Sequence, residues 1–302
     1  MPVTLPPSTT EVKFQHGRII ALEAGDPGAF VVIRDREGRP LRRVQAGAGV
    51  GGLRRAEVRD FALQADQSLT VALGVAFSMG KTSRVLAVYP QRGEARFSGL
   101  DDVMCTKLAV DELTGAWCLG PGQDDSLLHR VSGPAEGPWS LLARRRLPLV
   151  PNPAGEHREA FETGPAGVPA LMNAAPGRLL AWLPNAVALL EIDVVTGRGT
   201  TWRIPFGVGG RSMLTFACSG RGVYGLLPAR GPGEPERLST AYELCALDRA
   251  SGEFRPVGGR ARFARGASLA GMDGEQAVVW DRARRRLEWI RTPGGTEYHE
   301  KE

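Results

Sequence analysis

At 302 residues the chain is too long for one small core but within reach of a single closed all-β domain. Hydrophobic residues at 42% and charged residues at 24% match soluble globular averages, and no apolar run approaches the roughly 20 residues that span a bilayer, so no transmembrane segment is expected. The net charge of +5 is carried by arginine, the lysines being confined to Lys13, Lys81, Lys107 and Lys301, and no basic tract is interleaved with aromatics, which disfavours a nucleic-acid partner.

The chain opens with MPVTLPPSTT, which has neither a basic start nor an apolar stretch and reads as a flexible lead-in over residues 1–10. Such a stretch suits the position after a removed export signal, and a periplasmic or secreted location is slightly favoured over the cytoplasm. A first strand, EVKFQHG, spans Glu11 to Gly17.

From there one pattern recurs: an apolar strand, a turn carrying Asp or Gly, and a second strand rich in β-branched and aromatic residues. Its copies start at Ala29 (AFVVIRDREGRPLRRV), Arg84 (RVLAVYPQRGEARF), Ser126 (SLLHRVSGPAEGPWSLL), Ala188 (ALLEIDVVTGRGTTWRI), Tyr242 (YELCALDRASGEFRPV) and Ala277 (AVVWDRARRRLEWI). Asp35, Asp193, Asp248 and Asp281 close the first strand of four copies, and Gly38, Gly197 and Gly252 follow in three of them. Asp accepts backbone hydrogen bonds in a tight turn, and Gly supplies the positive φ that a hairpin needs.

Two further apolar runs precede most hairpins: RDFALQAD and SLTVALGVA, VMCTKLAVD and GAWCLG, MLTFACSG and GVYGLLPA. Four antiparallel strands recurring every ~40–55 residues are the mark of a propeller blade. The predicted fold is therefore all-β, a single β-propeller of six four-stranded blades over residues 11–293, with seven blades as the alternative count and 294–302 as a tail. The last unit (ASLAGMDG, EQAVVWDR, RRLEWIR) is one strand short, and EVKFQHG is the N-terminal strand expected to complete it and close the ring. Proline- and glycine-rich insertions are expected at Pro148 to Pro169 and Ala229 to Leu238.

Hairpins such as VVIRDREGRPLRRV and ALQADQSLTVAL give the chain a general shape that resembles the six-bladed propellers of the NHL-repeat and TolB-like kind. The resemblance covers most of the chain and implies a propeller used for binding; it carries no residue roles.

Motifs with chemical overtones fail on context. Gly47-Ala48-Gly49-Val50-Gly51-Gly52 matches a dinucleotide fingerprint but sits between strands, with no helix to hold a pyrophosphate. Gly80-Lys81-Thr82 ends a near P-loop that lacks its first glycine and joins two strands, leaving Lys81 as an exposed cation. Ala76 to Gly80 is a nucleophile elbow without its first glycine. Glu136-Gly137-Pro138-Trp139 resembles the Glu-Gly-Pro segment of the SMP-30/gluconolactonase propellers, whose glutamate is a metal ligand. It departs from that pattern in lying mid-chain, and a turn accounts for it better. The histidines (His16, His129, His157, His299) are scattered, and Cys105, Cys118, Cys218 and Cys245 have no metal-finger spacing. A Cys218–Cys245 bridge within one sheet is geometrically conceivable. No cofactor, metal ligand or catalytic residue is assigned, and the tryptophans are expected to pack between blades.

The innermost strand of each blade lines the channel, so the polar residues on or beside those strands are the ligand-binding candidates: Arg59, Asp60, Lys107, Asn173, Arg211 and Ser268. The competing account has each of them bonding a neighbouring blade. The leading expectation is a non-enzymatic, monomeric scaffold that presents face loops and a channel to a protein or small ligand. The alternative is a metal-dependent hydrolase or lyase with its site in the channel.

Overall fold

The structure, a computed structural model, describes residues 2–26, 28–50, 53–77, 82–100, 105–120, 128–131, 143–145, 168–184, 186–204, 214–220, 222–229, 241–257, 262–264 and 266–292. Among these every regular element is a β-strand. Residues 78–81, Glu136 to Trp139, residues 148–167 and 230–238, Arg211, His157 and the 294–302 tail lie outside the described residues.

The strands form antiparallel meanders of four. The first comprises β2 (Thr9–Gln15), β3 (Arg18–Gly25), β4 (Gly28–Arg34) and β5 (Pro40–Gln45). The second is β6 (Leu53–Leu63), β7 (Leu69–Phe77), β8 (Thr82–Tyr89) and β9 (Arg96–Gly99), and the third β10 (Lys107–Asp111), β11 (Gly115–Leu119), β12 (Leu128–Arg130) and β13 (Ala143–Arg145). A fourth follows with β14 (Ala170–Ala175), β15 (Arg178–Leu183), β16 (Ala188–Asp193) and β17 (Gly199–Arg203). The fifth holds β18 (Thr215–Ser219), β19 (Gly222–Pro228), β20 (Ala241–Asp248) and β21 (Glu253–Pro256), with β22 (Arg262–Ala264) also pairing β20. The last is β23 (Ala267–Asp273), β24 (Gln276–Asp281) and β25 (Arg286–Arg291), completed on its outer edge by β1 (Val3–Thr4).

The strand added to β25 is thus Val3–Thr4, in register with Leu287 and Arg286, whereas Glu11 to Gln15 belongs to the first meander as its first strand. The lead-in holds this strand because Val3 and Leu5 are apolar and Leu5 finds a core, at 3% exposure. Strand β2 also meets β23 through one parallel pair, Phe14 with Gly271. Gly271 is required there: a Cβ would stand 2.3 Å from the Phe14 carbonyl oxygen.

The second strand of each meander reads as a near-continuous apolar run because it is covered on both faces. Packing occurs between neighbouring meanders. Ile20, Val31 and Ile33 of the first share a cluster with Phe61, Val71 and Leu73 of the second, and Trp117 and Leu128 of the third pack with Leu179, Leu190 and Ile192 of the fourth. Val12, Phe14 and Ile19 of the first share another with Val278, Trp280 and Leu287 of the last. Trp117, Trp182, Trp202 and Trp280 are buried in such seams, as expected for packing tryptophans. Truncating a buried one to Ala costs about 3–5 kcal/mol.

The turn chemistry is as the residues predict. Asp193 accepts the amides of Val195 and Thr196 while Gly197, at φ 75°, donates to its carbonyl; Asp248 and Gly252 repeat the arrangement. In the last copy Asp281 accepts the Arg284 amide, and Arg285 takes the left-handed conformation at φ 54° that glycine occupies elsewhere. Gly47 to Val50 form tight turns after β5, with the Gly47 amide donating to the Tyr89 hydroxyl at 2.9 Å.

The amino-acid sequence leaves the cysteine pairing open. The disulfide joins Cys105 to Cys118, across the β10–β11 hairpin, and Cys218 and Cys245 are thiols. Cys218 and Cys245 lie on β18 and β20, which flank β19 and do not pair with each other.

Candidate functional site

The first strands of the meanders, β2, β6, β10, β14, β18 and β23, lie side by side in that order, and β23 lies in turn beside β2. Among them β6, β10, β14 and β18 each have one edge without a partner in their own sheet, so amides and polar side chains there must be satisfied by the next meander. A repeated bond does this. The Gln15 side-chain carbonyl accepts the Leu63 amide at 2.8 Å, Asp60 accepts the Leu108 amide at 2.7 Å, Asp111 accepts the Gly177 amide at 2.9 Å, and the Thr215 hydroxyl accepts the Leu269 amide at 2.9 Å. Between the fourth and fifth meanders the Cys218 thiol donates to the Asn173 carbonyl.

Of the channel candidates, Asp60 and Lys107 are brought together. Asp60 is 1% exposed; one carboxylate oxygen takes the Lys13 ammonium at 2.5 Å and the other the Leu108 amide. Lys13 also donates to the Phe61 carbonyl and sits 5.1 Å from the centre of that ring. Burial pushes the Asp60 carboxyl up, but Lys13, Lys107 and the two hydrogen bonds outweigh it and hold it below the usual carboxylate range. Burial pulls the Lys107 ammonium down, and the charges of Asp60 and Glu11 more than restore it, leaving it above the usual lysine value. Both groups are charged at neutral pH. With both oxygens engaged, Asp60 fastens strands together.

Asn173 likewise donates to the Val110 carbonyl and to Asp111, tying β14 to β10. Arg59 stands at a register shift between Val58 and Asp60, half-exposed beside Glu57 at 3.1 Å. Ser268 is half-buried opposite Trp280. His129 is buried, with Nε2 3.1 Å from the Gly120 carbonyl oxygen. No three His, Cys, Asp or Glu side chains converge as metal ligands among the described residues.

The fasteners Lys13, Gln15, Asp111 and Thr215 were not among the sequence-derived candidates. Their one signal is a polar residue interrupting an apolar innermost strand, and β2 could show it only once it was placed in the first meander.

Antiparallel meanders send the turn after the first strand and the turn after the third to the same side. Direct contacts show that the meanders share that side. Arg42 donates to the Pro90 and Gln67 carbonyls, Arg36 reaches Asp273 at 2.9 Å and Gln276 at 2.7 Å, and His16 stands 3.7 Å from Glu112. This turn face carries Leu41, Leu113 and Val195, which are 54%, 65% and 57% exposed. Val168, the remaining exposed large hydrophobic residue among those described, precedes β14 at the opposite end.

No protein-family model matches the chain, and no curated protein matches it. Among solved structures, U3-55K is similar with a TM-score of 0.54 at 10% identity, covering 94% of this chain and 95% of that one. The major allergen Mala s 1 of Malassezia sympodialis is similar with a TM-score of 0.51 at 12% identity, covering 100% of this chain and 98% of that one. The RRP9 WD40 repeats superpose with a TM-score of 0.46 at 10% identity, over 95% and 81% of the two chains. Likeness at such identity speaks to fold alone. Together with the side-by-side four-stranded meanders, it makes this chain an all-β fold of the β-propeller type.

Proposed function

We propose that the chain is a six-bladed propeller, with Val3–Thr4 joining the last blade across the closure, that serves as a non-enzymatic binding scaffold. Six innermost strands, each beside the next, support the blade count, and the β1–β25 pairing supports closure by the N-terminus. The observation that carries the binding reading is the placement of Leu41, Leu113 and Val195 together on the turn face. Exposed apolar side chains gathered on one side of a rigid disc mark an interaction surface.

Asp60, Lys107 and Asn173 are engaged between neighbouring blades, which leaves the exposed Arg59 as the cation proposed to face a channel ligand. The Cys105–Cys118 disulfide supports maturation in an oxidising compartment, consistent with export.

A photo-crosslinker placed in turn at Leu41, Leu113 and Val168 tests the reading. A partner captured in stoichiometric yield from the first two positions and not from Val168 is expected. Equal capture from both ends of the blades, or a reaction that requires an added divalent metal, overturns it.

A further inference from the structure

The last meander has a short fourth strand. In the other meanders that strand has three to six residues, whereas β1, which takes its place beside β25, has two. Val3 lies opposite Leu287 and Thr4 opposite Arg286, and the exposed Pro2 is outside the strand. Glu288 to Arg291 therefore present an open edge among the described residues.

The hydrogen-bond alternation fixes which groups lie on that edge. The Thr292 amide donates inward to the Glu275 carbonyl, and amides of alternate residues in an antiparallel ladder point the same way. Glu288 and Ile290 thus turn their amides to β24, while Leu287, Trp289 and Arg291 turn theirs outward. The Leu5 amide agrees, since it bonds the Arg285 carbonyl, which is outward on the same alternation. Val3 covers Leu287, and Trp289 and Arg291 face no strand among the described residues. An uncovered edge of this kind is a template for a further strand.

The sequence beyond β25 supplies one of matching length. Thr292 is followed by Pro293-Gly294-Gly295 and then by Thr296-Glu297-Tyr298-His299-Glu300-Lys301-Glu302. Gly-Gly suits the two-residue hairpin loop, which needs positive φ at both positions. A loop at Gly294-Gly295 makes Pro293 and Thr296 its flanking pair, and the outward alternation of 289 and 291 continues to 293, as that hairpin requires. A loop at Pro293-Gly294 would need the Thr292 amide to point outward, and it points to Glu275.

The register then follows: Arg291 opposite Tyr298, Ile290 opposite His299, Trp289 opposite Glu300 and Glu288 opposite Lys301. Tyr298 falls diagonal to Trp289, within reach for an aromatic cross-strand pair, and Lys301 brings a charge opposite to that of Glu288. The next position on β25 is Leu287, where Val3 already stands. The segment and β1 would run in the same direction along β25 and abut there.

We propose that Thr296 to Lys301 dock on β25 in this register and complete the fourth strand of the last meander. The two ends of the chain then share one strand, and the edge is closed to strands of other molecules.

Amide hydrogen exchange in the full chain tests it. The Trp289 and Arg291 amides are expected to be protected, and Gly294→Val, which cannot hold the loop, should speed both by about tenfold or more. The Leu287 amide, held by Val3, should be unchanged and reports that the blade is still folded. On oxidation, Glu288→Cys combined with Lys301→Cys should form a disulfide within one molecule, and Glu288→Cys combined with Glu297→Cys should not.

Unprotected Trp289 and Arg291 amides in the unaltered chain overturn the proposal, as does protection that survives Gly294→Val. A disulfide between two molecules also overturns it, because a second copy's segment would then fill the edge.

Discussion

Asp60 on β6 accepts the amide of Leu108 on β10 at 2.7 Å, so one buried carboxylate supplies the hydrogen bond that β10's free edge lacks. The same carboxylate neutralises Lys13 and lowers the cost of burying Lys107. Removing its charge leaves two ammonium groups facing each other in a partly dry seam. Asp60→Asn is expected to cost about 3–5 kcal/mol, because breaking a buried pair strands the partner charge. Urea denaturation measures it; a loss under 1 kcal/mol would mean that water solvates the seam.

The same group sets an acid limit. The folded-state pKa of Asp60 lies below the unfolded value, so its contribution is fully present above the unfolded carboxylate pKa of about 4 and is lost as the pH falls through the lower folded value. The stability of the wild-type chain should fall in that range, and that of Asp60→Asn should fall less steeply. Lys107 acts with the opposite sign: its raised pKa contributes below the unfolded lysine value of about 10.4 and fades as the pH rises past the folded one. Parallel acid limbs for wild type and Asp60→Asn would count against the assignment.

Gly271 permits the contact between the first and last meanders. Gly271→Ala drives a methyl group to 2.3 Å from the Phe14 carbonyl oxygen, and strand β2 must move away. A loss of more than about 3 kcal/mol is expected, with faster proteolysis near the N-terminus. Gly274→Ala provides the comparison. It has positive φ, at 58°, but no atom within 4 Å of the added carbon, so it should cost only the left-handed penalty of about 1–2 kcal/mol.

Arg285 holds the left-handed φ of 54° at the position where Gly197 and Gly252 stand in sister turns. Arg285→Gly relieves that strain while loosening the unfolded chain, and should stabilise the protein by about 0.5–1 kcal/mol. A rise in melting temperature checks it. A fall would show that the Arg285 side chain makes a compensating contact.

The Cys105–Cys118 bond closes a short loop around the β10–β11 hairpin, with a sequence separation of 13. Replacing both residues by Ser should lower stability by about 2–3 kcal/mol. Cys218, whose thiol burial pushes up to about 12, should react with iodoacetamide only after unfolding. Rapid labelling of the half-buried Cys218 in the native protein would contradict its raised thiol pKa.

The amino-acid sequence by itself determined the strands and their turns. An Asp that closes a strand and a Gly four residues later act within one hairpin, and the Asp193 and Asp248 turns form as their residues dictate. The apolar second strands were equally legible, since burial on both faces demands an uninterrupted apolar run. Tertiary structure alone decided how the meanders join. The residues that fasten them are far apart in the chain, 48 positions from Asp60 to Leu108 and 66 from Asp111 to Gly177, and a lone polar residue in an apolar strand does not name its partner. The place of the N-terminus was hidden for the same reason: Val3 pairs with Leu287, and nothing local to Val3 points to it. The turn face was likewise invisible in the sequence, because Leu113 and Val195 become neighbours only when two blades bring their tips to Gly177.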